Sequence, residues 1–160
     1  MNKHQQVAWI LAGMLVCICG GADWRQFRGP GGTGVSTETN LPTKWSEKEN
    51  IAWKAALPGR GLSGPIVIGD RVVVTASSGY RQDRLHVFCF DTKTGKQRWH
   101  RRFWSTGRTM THGKICPAAP TPVSDGKHIF ATFSTNDVVC LDLEGNLKWL
   151  RGLFPGRLWI

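Results

Sequence analysis

The side chains best suited to nucleophilic chemistry fall in Ser105–Pro117 (STGRTMTHGKICP), where His112, Lys114 and Cys116 lie within five residues. A thiol beside an imidazole becomes a nucleophile when the imidazole takes its proton, and a third group must orient the base. The sequence identifies no such third group. The segment therefore reads either as a loop site or, more economically, as a connection between repeated units. Two glycine runs, Gly29–Gly34 (GPGGTG) and Gly59–Gly64 (GRGLSG), invite a phosphate-loop reading. The first lacks the Lys-Ser/Thr ending and a preceding strand, and both suit turns and an extended N-terminal arm better. Asp70, Asp91, Asp125 and Asp142 each stand beside a turn glycine or in a turn sequence, which suits backbone capping rather than acid–base work.

The elements that would position these groups follow an N-terminus of a different kind. Met1–Gln6 carries one Lys and no acid, Val7–Cys19 is an apolar run of 13, and Gly20-Gly21-Ala22 follows. A basic start, a short apolar core and small residues make a secretory signal peptide with cleavage after Ala22. Spanning a bilayer takes about 20 apolar residues. A lipid-modified cysteine wants a small residue before it, but Val16 and Ile18 precede Cys17 and Cys19. The chain has a formal net charge of +10, and loss of Lys3 with residues 1–22 leaves +9. The basic residues are scattered, as in Lys93, Lys96, Arg98, Arg101, Arg102 and Arg108, so they read as solvated surface and not as a nucleic-acid interface. Export permits a disulfide, yet the three remaining cysteines, Cys89, Cys116 and Cys140, leave at least one thiol unpaired. No zinc-type Cys/His spacing is present.

Beyond residue 22 the chain repeats. Pro65–Val74 (PIVIGDRVVV) aligns with Thr121–Phe130 (TPVSDGKHIF): in each an apolar strand meets a Gly-Asp or Asp-Gly turn. The second strands are predicted over Val72–Thr75 and Ile129–Phe133. Leu85–Asp91 aligns with Asn136–Asp142, and each then turns through Gly95 or Gly145 into a strand holding Trp99 or Trp149. Asn50–Leu57, with Trp53, is an earlier copy of that last strand. Four short strands per unit, recurring at about 40–50 residues with no helical period, predict an all-β, incomplete β-propeller of four-stranded blades. The divisions expected are a signal peptide at 1–22, an N-terminal arm at 23–44 and a partial propeller at 45–160. Its blades are placed at about 63–103 and 118–152, with a closing strand before them.

Cys89–Trp99 (CFDTKTGKQRW) resembles the tryptophan-docking motif of PQQ-type (pyrroloquinoline quinone) repeats, A-x-D-x-x-T-G-K-x-x-W, with Cys in place of the Ala. Asp91, Thr94, Gly95, Lys96 and Trp99 are the matching positions. A second copy keeps Asp142, Gly145 and Trp149 but is one residue shorter and lacks the Thr. The opening Asp23–Pro30 is also similar to the start of such proteins. The resemblance implies that Trp53, Trp99 and Trp149 dock between blades, Asp and Thr brace the turn, and Gly supplies a positive φ.

Two functions are implied by the resemblance. One is a non-catalytic scaffold like the outer-membrane-protein assembly factor, binding other proteins in the periplasm or cell envelope. The alternative is a quinoprotein dehydrogenase oxidising alcohols or sugars with PQQ and calcium. The second would call for a calcium donor set, a catalytic Asp and an adjacent Cys-Cys pair. No catalytic, cofactor-binding or metal-binding residue can be assigned on those grounds, and Cys89, Cys116 and Cys140 include no adjacent pair. Removing 22 of 160 residues leaves 138, fewer than three blades at about 50 each, whereas propellers have about four to eight. The expectation is a truncated chain or one of several that complete a propeller together.

Overall fold

The computed structural model describes residues 23–109 and 111–153. The expected signal peptide at 1–22 and the segment 154–160 lie outside the described residues.

Two four-stranded antiparallel sheets follow one another along the chain, each in simple sequential order. The first contains β1 (Ile66–Ile68), β2 (Arg71–Ser78), β3 (Arg84–Asp91) and β4 (Gln97–Trp104). The second contains β5 (Val123–Ser124), β6 (His128–Thr132), β7 (Asp137–Asp142) and β8 (Leu147–Gly152). This is an all-β chain of consecutive propeller-type blades, as the repeat implies. Both sheets even carry a register shift at the same place, at Cys89/Phe90 and at Cys140/Leu141. Among the described residues the helical content is one 3-10 turn, Pro30–Gly32.

Alternation explains the burial. Val73 pairs with Cys89 and Cys89 with Trp99, so these three share one face of the first sheet with Leu85 and Val87. That face meets Ile129, Ala131, Val139 and Leu141 of the second sheet in a single buried core. The opposite face of the first sheet, with Ala76, Phe88 and Phe90, is covered by Trp53 and Leu57. β3 is therefore buried on both sides. Each fully buried aliphatic side chain contributes roughly 1.5–3 kcal/mol. An exposed ion pair such as Arg71–Glu144 on the rim contributes about 0–1. Apolar packing, not the rim charges, holds the two sheets together.

Two expectations change. β2 runs past Thr75 to Ser78 because its far half still has a partner, pairing through Ser78 with Arg84. Asn50–Leu57 is not a strand: a strand exists only with a hydrogen-bonded neighbour, and among the described residues none pairs with it. Trp53 nonetheless keeps its place against the first sheet.

The second glycine run proves to be a matter of close approach. Arg60 exchanges two backbone hydrogen bonds with Ser77, at 2.7 and 2.8 Å. A Cβ on Gly61 would come to 2.5 Å from the Thr75 carbonyl oxygen, so only glycine lets this segment lie along β2. The arm behaves similarly at the other edge. Trp24 exchanges two 2.9 Å backbone bonds with Val67, and the Arg25 carbonyl accepts from Ser124 N–H at 2.8 Å. Residues 23–25 thus strap the short edge strands β1 and β5 and cover otherwise open N–H and C=O groups.

Candidate functional site

Trp53 and Trp99, the first two of the three repeated tryptophans, sit at contacts between units. Trp53 donates its indole N–H to the Thr92 carbonyl at 2.8 Å, and Trp99 donates to the Leu143 carbonyl at 3.0 Å. Each ring lies on the glycine of the following turn. A Cβ on Gly95 would fall 2.5 Å from the Trp53 ring, and one on Gly145 would fall 2.6 Å from the Trp99 ring. Both glycines have positive φ, 65° and 80°. Trp99 is buried, while Trp149, the third of the series, is 39% exposed.

The turns beneath the rings are built by their aspartates. Asp91 Oδ1 accepts from the backbone N–H of Lys93 and Thr94 and from the Thr94 hydroxyl, at 2.9–3.1 Å. The Lys96 carbonyl accepts from Asp91 N–H at 2.9 Å and closes the turn. Asp91 Oδ2 faces Arg98 at 2.6 Å, and Arg98 also reaches Asp70 at 2.5 Å. The Arg98 guanidinium first, and the Thr94 bonds next, hold the Asp91 carboxyl far below the usual carboxylate range. In the shorter turn Asn146 takes over part of what Thr94 does. Asp142 Oδ1 accepts from Glu144 and Asn146 N–H, and Oδ2 accepts from the Asn146 amide at 3.0 Å. Lys148 contacts the same carboxylate at 3.0 Å and, ahead of the Asn146 bonds, holds the Asp142 carboxyl well below the usual carboxylate range. Asp125 likewise accepts from Lys127 and His128 N–H.

These carboxylates therefore spend their lone pairs on local N–H groups and on Arg or Lys. Calcium needs six to eight oxygens converging on one point. Among the described residues no three His, Cys, Asp or Glu side chains come together to hold a metal, and the donor set present does not fit a calcium-bound quinone. Asp137 is buried, yet it too is committed to the chain. It accepts from Thr106 N–H at 3.0 Å, from the Thr106 hydroxyl at 2.5 Å and from the Thr135 hydroxyl at 2.6 Å. Thr106 follows β4 and Asp137 opens β7, so this carboxylate ties one sheet to the next.

The loop candidates do not assemble into a nucleophilic pair. Cys116 is buried, with its Sγ 3.7 Å from the Arg60 carbonyl. His112 and Lys114 are exposed, and His112 Nδ1 accepts from Lys114 N–H at 3.2 Å. Cys89 and Cys140 are buried and, like Cys116, free. Burial pushes the Cys89 thiol up to about 11 and raises Cys140 as well.

One chain of catalytic residue types appears only in three dimensions. Ser78 Oγ lies 2.7 Å from His86 Nε2, and His86 Nδ1 lies 2.9 Å from His100 Nε2. The geometry resembles a serine–base–orienting-group relay. Burial, then the neighbouring His100, Arg102 and Arg84, lower the His86 pKa to about 4. A general base works best near the ambient pH, so this imidazole is poorly matched to taking a serine proton at neutrality. His100 stacks on Phe88 with ring centroids 4.2 Å apart, and the chain of bonds satisfies polar atoms within an aromatic face.

The family model described as outer membrane protein assembly factor BamB matches residues 27–156. The chain belongs to this family. Solved structures with similar folds include BamB from Moraxella catarrhalis, at 20% identity and a TM-score of 0.43, covering 62% of this chain and 26% of that one. A europium-containing methanol dehydrogenase is 19% identical with a TM-score of 0.41, covering 56% of this chain and 15% of that one. The chain thus spans about a quarter of the first and less of the second. No curated protein matches the sequence.

Proposed function

We propose that the protein is an exported, non-catalytic PQQ-repeat scaffold that holds partner polypeptides in outer-membrane-protein assembly. The observation that carries this reading is the match of residues 27–156 to the BamB family. Trp53, Trp99 and Trp149 act in it as docking residues, with Asp91, Thr94, Gly95, Lys96, Asp142 and Gly145 shaping the turns. The arm at 23–44 straps the blades at about 63–103 and 118–152, further PQQ-type blades complete the propeller, and partner chains lie across its faces or edges.

Two measurements test the reading. Photo-cross-linking side chains placed at the exposed Trp45 and Leu147 are expected to give discrete polypeptide adducts in the cell envelope. Absence of adducts at both positions overturns it. So does stoichiometric binding of PQQ with calcium to the purified chain, accompanied by dye reduction with an alcohol.

A further inference from the structure

The β2–β3 loop and the segment after β4 meet beside the first sheet and border an open, solvent-facing groove of about 550 Å³. The β2–β3 loop supplies Tyr80, Arg81 and Gln82, and the segment after β4 supplies Arg108, Thr109 and Thr111. A groove of this size suits a few residues of an extended peptide. Its charge is one-sided. Arg25, Arg71 and Arg98 all face carboxylates. Arg81 and Arg108 are exposed and have no carboxylate within ion-pair distance among the described residues. The loop's own acid, Asp83, folds back over Gly79.

The loop is held in shape from below. Gln82 N–H donates to the Gly79 carbonyl at 3.0 Å, and the Gln82 side-chain oxygen accepts from the buried Ser77 at 3.0 Å. Ser105 N–H donates to the Asp83 carbonyl at 2.9 Å, pinning the start of the second segment to the first. Tyr80 is fully exposed and offers an apolar ring with a hydroxyl. Arginine forks grip carboxylates in pairs of parallel N–H bonds, and the threonine hydroxyls add donors.

We infer that this groove binds an acidic, extended segment of a partner polypeptide, with Arg81 and Arg108 gripping its carboxylates and Tyr80 packing on its backbone. The inference rests on the scaffold reading for the partner being a polypeptide. The carboxylate chemistry comes from the groove itself.

The test uses the full chain with fluorescein-labelled hexaglutamate, and hexaglutamine as the neutral probe, read by fluorescence anisotropy at two salt concentrations. Hexaglutamate is expected to bind saturably and hexaglutamine not to. R81Q/R108Q is expected to weaken binding at least tenfold. K93Q/K127Q, which removes the same charge from exposed turns away from the groove, is expected to weaken it less than twofold. Equal losses in the two variants, undiminished binding by R81Q/R108Q, or no saturable binding by the parent chain overturns the site. Stronger capture by phosphatidylglycerol vesicles, lost in R81Q/R108Q, overturns the peptide in favour of a lipid surface. If envelope adducts persist at Trp45 and Leu147 while hexaglutamate is ignored, this site fails and the scaffold reading stands.

Discussion

Gly145→Ala isolates the contact between the two sheets better than removing the tryptophan itself. The residue has φ 80°, a conformation that costs a side-chain-bearing residue about 1–2 kcal/mol. Its new methyl would lie 2.6 Å from Trp99 Cδ2 and 3.0 Å from Cε2 and Cε3. The ring cannot swing aside freely, because it is buried and its N–H is bonded to Leu143 at 3.0 Å. Overpacking of this kind costs about 1–3 kcal/mol, so the whole substitution should cost about 3 kcal/mol. Gly69→Ala is the control. Gly69 also has positive φ, 55°, but a Cβ there meets nothing within 4 Å, and only the backbone cost of about 1 kcal/mol remains. Urea unfolding followed by circular dichroism gives both values from the midpoints. In a Trp99→Leu background the G145A cost should fall to about 1 kcal/mol, a coupling of about 2 kcal/mol. Equal costs at 145 and 69, or an unchanged G145A cost without the indole, would refute the assignment of the clash to the seated ring.

Other predictions address different groups. The His86 pKa is about 4 folded against 6.5 unfolded, so the unfolded chain binds the extra proton and stability falls as pH drops through that window. Between pH 7.5 and 4.5 about 2.5 kcal/mol should be lost on this account. H86Q should flatten the profile, and an unchanged profile in H86Q contradicts the assignment. Asp137→Ala should cost about 2–4 kcal/mol by leaving the Thr106 and Thr135 donors unpaired; thermal unfolding within 0.5 kcal/mol of the parent argues against that tie. Cys89, Cys116 and Cys140 should resist a thiol-specific disulfide reagent until urea unfolds the chain, and rapid labelling of any of them in the native state contradicts their burial.

The repeat and its turns were legible because their causes are local. An Asp three or four residues before a Gly, and a Trp four residues after it, give a capped turn and an outer strand in both copies, even though the second is one residue shorter. Asn50–Leu57 repeats only the Trp-bearing strand segment and has no ladder among the described residues, since sequence pattern does not supply a neighbour. The Gly59–Gly64 run looked like a turn because a backbone passing close to Thr75 and Ser77 leaves no mark in sequence beyond the glycines. Ser78, His86 and His100 are diagonal neighbours across three strands, visible only once register is known. Asp137 stands in the strand segment Asn136–Asp142, and its tie to Thr106 exists only in three dimensions. Arg81 and Arg108 were part of a scattered positive charge, and only the meeting of their loops makes them neighbours. His112, Lys114 and Cys116 show the reverse: close in sequence, they separate because the thiol turns into the core.

The seating of each tryptophan on the turn after it has a consequence for the order of events as the chain emerges. Trp53 waits for a carbonyl 39 residues later, and Trp99 for one 44 residues later. Neither ring can leave water until that stretch has been made and has turned. Completion therefore trails the growing end by one repeat, and each newly finished repeat carries an aromatic surface forward that the next one extinguishes.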